Sequence, residues 1–105
     1  MGDMHMSGIG LIAAERARQI DEEGWTPEHD RQHTGGELAQ AAAYYCCRSN
    51  DLARLNEHIW PPEWHSSWAK REGLHLPTER DLVKAGALIA AELDRRLTLA
   101  EQARG

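Results

Sequence analysis

Thr78–Ala100 reads TERDLVKAGALIAAELDRRLTLA, and from Leu82 to Ala91 it is apolar on nearly every side, Lys84 excepted. Such a segment is too long for an ordinary strand and carries an acid-rich start, so it predicts a helix from Thr78 to about Ala100. A helix apolar all round lies at the centre of a bundle or between subunits. The rest of the chain must then supply helices that surround it.

Those helices are legible upstream. Ser7 to Glu23 (SGIGLIAAERARQIDEE) predicts a first helix that stops at Gly24. Ile9, Ile12, Ala13, Ala17 and Ile20 form its apolar stripe, and Leu11, Glu15, Arg18 and Glu22 a second one. A polar loop follows, WTPEHDRQH. Thr34 to about Arg48 (TGGELAQAAAYYCCR) predicts a second long helix whose alanines admit a close neighbour. A short helical piece fits Asp51–His58. Pro61 and Pro62 then forbid a continuous helix in IWPPEWHSSWAKREGLHLP, though they can begin a short one holding Trp64 and Trp68. With one Val and no Phe, hardly any segment reads as strand. The expected fold is all-α: a single domain over residues 7–105, a small bundle of about four helices completed by oligomerisation, as a homodimer or homotetramer. Residues 1–6 read as an added or disordered end.

Composition narrows the function. Hydrophobic residues make up 41% and charged residues 28% of 105 residues, the balance of a globule. A formal charge of −5 argues against a nucleic-acid partner bound through a basic surface. An acidic chain that handles polyphosphates needs a divalent cation as intermediary. The only cysteines, Cys46 and Cys47, are adjacent and build no disulfide framework, which fits a reducing, cytoplasmic setting. No stretch approaches membrane-spanning length, so no membrane partner is expected.

Several residues bear two interpretations. Thr34-x-x-Glu37 is a capping box, yet Glu37 shares a face with Ala41 and Tyr44 and is also a candidate ligand for a hard cation. Asp81 suits the first turn of the last helix, or a metal. Lys84 pairs with Asp81 at i,i+3, or else serves a phosphate oxygen. Glu15 and Glu22 flank Arg18 and form either a solvated face or part of a ligand set. His29, Asp30 and His33 resemble a zinc half-site if helical, but Thr34, Gly35 and Gly36 argue against a helix there and favour a polar loop over a substrate. Trp25, Trp60, Trp64 and Trp68 supply aromatic core, or a lid whose indole stacks on a nucleobase.

In their order and spacing, IAAERARQIDEEGWTPEHD, QHTGGELAQAAAYY, PPEWHSSW and RDLVKAGALIAAELDR resemble the MazG-like all-α nucleoside triphosphate pyrophosphohydrolases, in particular the small phage and prophage dATP/dGTP diphosphohydrolase-like group. The resemblance spans most of residues 9 to 96. It implies an oligomeric helical bundle in which carboxylates from several helices bind Mg²⁺ or Mn²⁺. The superfamily pattern is E-E-x-x-E followed by E-x-x-D. Glu37 matches the last acid of the first motif, while His33 and Thr34 stand where its earlier acids belong. Asp81 matches the final acid of the second, with Thr78 in place of the first; a shifted register makes Asp81 the first acid and puts Lys84 at the second. Glu15 and Glu22 are expected to supply the missing charge.

The expected activity is therefore metal-dependent conversion of a purine (deoxy)nucleoside triphosphate, such as dGTP or dATP, to monophosphate and pyrophosphate. Glu37, Asp81 and Lys84 are the catalytic candidates. Glu37, Asp81, Glu15 and Glu22 are the metal candidates, and Lys84, Trp25, His33, Trp64 and Trp68 would bind substrate. The alternatives are an HD-type metal phosphohydrolase, suggested by His29-Asp30, and a non-catalytic helical partner-binding protein.

Overall fold

The structure is a computed structural model and describes residues Ser7 to Arg104; the expectation for residues 1–6 lies outside them. The described residues form five α-helices: α1 (Gly8–Glu23), α2 (Pro27–Asp30), α3 (Glu37–Cys46), α4 (Leu52–Ile59) and α5 (Glu79–Arg104), with one 3-10 turn at Ser66–Trp68. No strand occurs among them, and none of these helices is long and apolar enough to cross a membrane.

The ends of α1 follow from local chemistry. Ser7 Oγ accepts from Gly10 N, and Gly24 closes the helix in the left-handed region at φ 74°. Thr34 does not cap α3 as the sequence suggests. Gly36 takes φ 87° and starts the helix three residues later, so Glu37 Oε1 accepts from Gly35 N at 2.7 Å rather than from the Thr34 amide. The Pro61-Pro62 segment gives no helix of its own, only the later 3-10 turn that reaches Trp68.

The alanine face of α3 permits a close approach to α5. Leu38, Ala41, Ala42, Tyr44 and Tyr45 meet Ala85, Leu88 and Ala91 in one core, which Trp60 closes and against which Leu52, Leu55 and Ile59 of α4 pack. Helices α3 and α5 run antiparallel: Lys84 lies over the Tyr45 ring, whereas Glu37, a helix-length away, acts on Arg95. On α1, Ile12 occupies the space a Cβ at Gly86 would fill, so this glycine admits the crossing of α1 over α5.

The start of α5 is held by Asp81. Its buried carboxylate accepts from the backbone N–H of Glu72, Gly73 and Thr78 at 2.8, 2.8 and 2.9 Å, while Asp81 N donates to Thr78 Oγ1. This is a capping box extended to clasp the preceding loop. Gly73 is required there because a side chain would run into the Leu76 carbonyl. Arg71, also buried, donates to the carbonyls of Tyr44, Cys47, Gly73 and His75. Its fixed cation joins the carbonyl end of α3 to the same loop.

Two faces correct the sequence pattern. The buried residues of α1 are Glu15, Arg16 and Gln19, while Ile9, Ala13 and Ala17 of the expected apolar stripe are exposed. Helix α5 is likewise covered on one side only. Leu82, Ile89, Leu93 and Leu97 form an exposed row along it.

Candidate functional site

A cavity of about 560 Å³ opens where the polar face of α1 crosses the first half of α5. Its volume falls in the range of small-molecule sites. Glu15 is the anchor of this wall. The carboxylate is almost fully buried and receives Arg18 through two bonds (3.0 and 2.9 Å), Arg80 at 2.7 Å and Gln19 Nε2 at 3.1 Å. Burial pushes its pKa up, but the hydrogen bonds and charge of Arg18 and Arg80 outweigh this and hold it below the usual 4.5. Glu23, one turn past Arg18, binds the same guanidinium. Two carboxylates thus converge on one cation, and Arg18 and Arg80 are fixed in place.

Lys70 and Lys84 also line the cavity. The Lys84 ammonium lies 5.5 Å from the centre of the Tyr45 ring. It makes no ion pair with Asp81, whose oxygens already serve three amides. Tyr45 Oη donates to Trp68 O and accepts from Lys70 N, so one hydroxyl positions the whole rim segment. Trp25 and the half-exposed Trp68 supply flat walls at the mouth. Four cationic side chains therefore face two carboxylates in this cavity, on a chain whose net charge is −5.

The expected carboxylate centre is not assembled within one chain. Glu37 lies at the Arg95 end of the α3–α5 pair, about 20 Å along α5 from Asp81 at a rise of 1.5 Å per residue. Glu22 points outward, 3.7 Å from Arg18. Of the four metal candidates only Glu15 lines the cavity. The set Glu37, Asp81, Glu15 and Glu22 does not fit a shared resident ion in this chain.

The substrate candidates divide similarly. Lys84, Trp25 and Trp68 line the cavity; Trp64 and His33 stand behind it. Trp64 packs against Trp25 and Trp68, with ring centroids at 6.4 and 6.2 Å, and His33 meets Trp64 at 5.1 Å. Trp60 belongs to the core, its Nε1 donating to His65 O. Arg18, Arg80, Tyr45 and Glu23 carry no site role in the sequence alone. The one available signal was a pair of cations, Lys70 and Arg80, flanking a glycine- and proline-bearing loop.

The loop after Trp25 is also a correction. Pro27–Asp30 is a helical turn capped by Thr26 Oγ1, and His33 N donates to Asp30 O, so the chain keeps coiling through His33. Gly35 and Gly36 break the helix only after both histidines have been placed. Asp30 is buried, with Oδ2 bonded to Arg16 at 3.1 Å. Burial drives its carboxyl above the ordinary aspartate value, and Arg16 offsets only part of that.

No known family model matches the chain, and neither a curated protein nor a solved structure matches it.

Proposed function

We propose that the chain binds a nucleoside triphosphate in the α1–α5 cavity and hydrolyses it to the monophosphate and pyrophosphate. The observation that carries this is the reversal of charge at one place: four cations gathered beside flat aromatic walls in an otherwise acidic protein. A triphosphate answers the cations, and a base answers the indoles, since a nucleobase offers a π face to stack on. A purine, such as that of dGTP or dATP, offers the larger face.

The roles follow from how firmly each group is held. Arg18 and Arg80 are locked on Glu15 and form a rigid cationic floor. Lys70 and Lys84 face the phosphates. Trp25 and Trp68 take the base. Glu23, at the exposed end of α1, orients the attacking water. The water oxygen bonds to the α-phosphorus as Glu23 takes a proton from it, the bond from the α-phosphorus to the α–β bridging oxygen breaks, and pyrophosphate leaves with its charge held by Lys70 and Lys84. The divalent ion belongs to the substrate, which enters as its magnesium or manganese complex. A purely partner-binding role leaves the four cations and their fixed carboxylate without purpose.

The same proposal includes a second copy of the chain. The exposed Leu82–Leu97 row of α5 and the exposed Ile9, Ala13 and Ala17 of α1 are faces that a small bundle covers by association. Leu93→Asp is expected to convert a homo-oligomer into monomer in light scattering coupled to gel filtration. A wild-type protein that already runs as monomer at 100 µM, a concentration of order chosen for weak dimers, contradicts this part.

Binding is tested by calorimetry with a non-hydrolysable α,β-methylene dGTP and Mg²⁺. The wild-type chain should bind it, and Lys70→Met should weaken binding at least about tenfold, the scale of one charge-assisted contact. Absence of binding, or equal binding by the variant, rejects the cavity as the nucleotide site.

A further inference from the structure

We infer that His29, Asp30 and His33 form a binding site for one zinc-class divalent ion, separate from the nucleotide cavity. One ligand atom from each of the three residues lies within 4.8 Å of the others. The coil of Pro27–His33 creates this arrangement: it places the two imidazoles one turn apart, with ring centroids 5.2 Å from each other. Asp30 stands between them and is turned inward, 1% exposed.

The carboxylate is oriented as a metal ligand would be. Arg16 fixes Oδ2, and the same guanidinium donates to Trp25 O. Oδ1 faces His29 Nδ1 at 3.7 Å, beyond hydrogen-bond length. One oxygen is thus held from behind while the other faces the His29 imidazole, the usual relation between a ligating carboxylate and its outer partner. Bonds of about 2.1 Å to a tetrahedral ion set the ligand atoms about 3.4 Å apart. His29 is exposed and His33 half-buried, so side-chain rotation is the movement that binding an ion would require.

The donor set selects the ion. Two imidazole nitrogens and one carboxylate favour Zn²⁺ and its first-row neighbours over Mg²⁺ or Ca²⁺, which take oxygen. Three protein ligands leave the fourth position to water. Because His33 touches Trp64, and Trp64 backs Trp25, an ion here would brace the rear of the aromatic wall.

The test uses the full chain without an affinity tag, stripped of metal and titrated with Zn²⁺, Co²⁺ and Mg²⁺ alone. The expected result is one equivalent of Zn²⁺ per chain by elemental analysis after gel filtration, visible Co²⁺ ligand-field bands, and no retained Mg²⁺. His29→Ala and His33→Ala should each weaken Zn²⁺ binding at least about tenfold, whereas His58→Ala should not. His29→Ala should keep the metal-free melting temperature, since its imidazole is exposed, whereas His33→Ala also loses the contact with Trp64 and should lower it slightly. Zinc binding that the His29 and His33 variants leave unchanged, or no zinc retained by the wild-type chain, overturns the site. Neither outcome depends on nucleotide binding, so this proposal and the hydrolase proposal fail separately.

Discussion

Asp81→Ala is expected to lower the melting temperature by at least about 12 °C. The carboxylate serves three backbone donors that no other acceptor reaches. Leaving such donors unsatisfied costs about 1 kcal/mol each at the low end, or about 3 kcal/mol together. For a domain of this size each kcal/mol moves the midpoint by about 4 °C or more. The pH dependence has a defined sign. Burial opposes ionisation of Asp81, but the N–H groups of Glu72, Thr78 and Gly73 win and hold its pKa below the ordinary 3.8. A carboxyl depressed on folding contributes stability that is complete above its unfolded pKa and is lost as the pH falls through the folded value. The gap between wild type and variant should therefore be constant from pH 7 to about 5 and shrink below about pH 4. Thermal melts at several pH values check this. An Asp81→Ala chain as stable as wild type at pH 7 would show that the clasp contributes nothing and return Asp81 to the ligand role suggested by its motif position.

Lys84→Met is expected to have the opposite profile. The ammonium has no carboxylate partner among the described residues and meets only the face of Tyr45. Its loss should shift the melting temperature by no more than about 8 °C, since a partly exposed cation–π contact contributes about 0.5–1 kcal/mol. Catalysis should suffer far more. A fixed donor to charge developing on the leaving pyrophosphate is worth a factor of about 100 or more in kcat. A fall in kcat at little-changed stability supports the assignment. Unchanged kcat would remove Lys84 from the phosphate site, and a collapse in stability would make it a structural residue.

The contrast between Asp81 and Lys84 shows which features were legible in the sequence. Both were singled out by position in the most apolar helix. Capping and ligation use the same residue at the same place, and only the course of residues 72–78 decides between them. Helices were readable where caps and periodicity agreed, as for Ser7–Gly24 and the run after Thr78. They were misread where glycine decided: Gly36 moved the start of α3, and the turn at Pro27–Asp30 was obscured by the glycines that follow it. The largest error concerned α1. Its isoleucines and alanines suggested an inward apolar stripe, whereas Glu15, Arg16 and Gln19 are the buried residues. Periodicity reports which residues share a face, but the partner determines which face is buried. Arg80, from another helix, stabilises the inward-facing Glu15, and no local pattern announces that pairing.

Turnover in the α1–α5 cavity is the central claim. Its most direct test is incubation of the wild-type chain with each of the common dNTPs and Mg²⁺ or Mn²⁺, followed by ³¹P NMR. At least one purine dNTP should give equimolar nucleoside monophosphate and pyrophosphate, with neither nucleoside diphosphate nor inorganic orthophosphate as a first product. No product from any nucleotide, or release of single phosphate, would contradict the account.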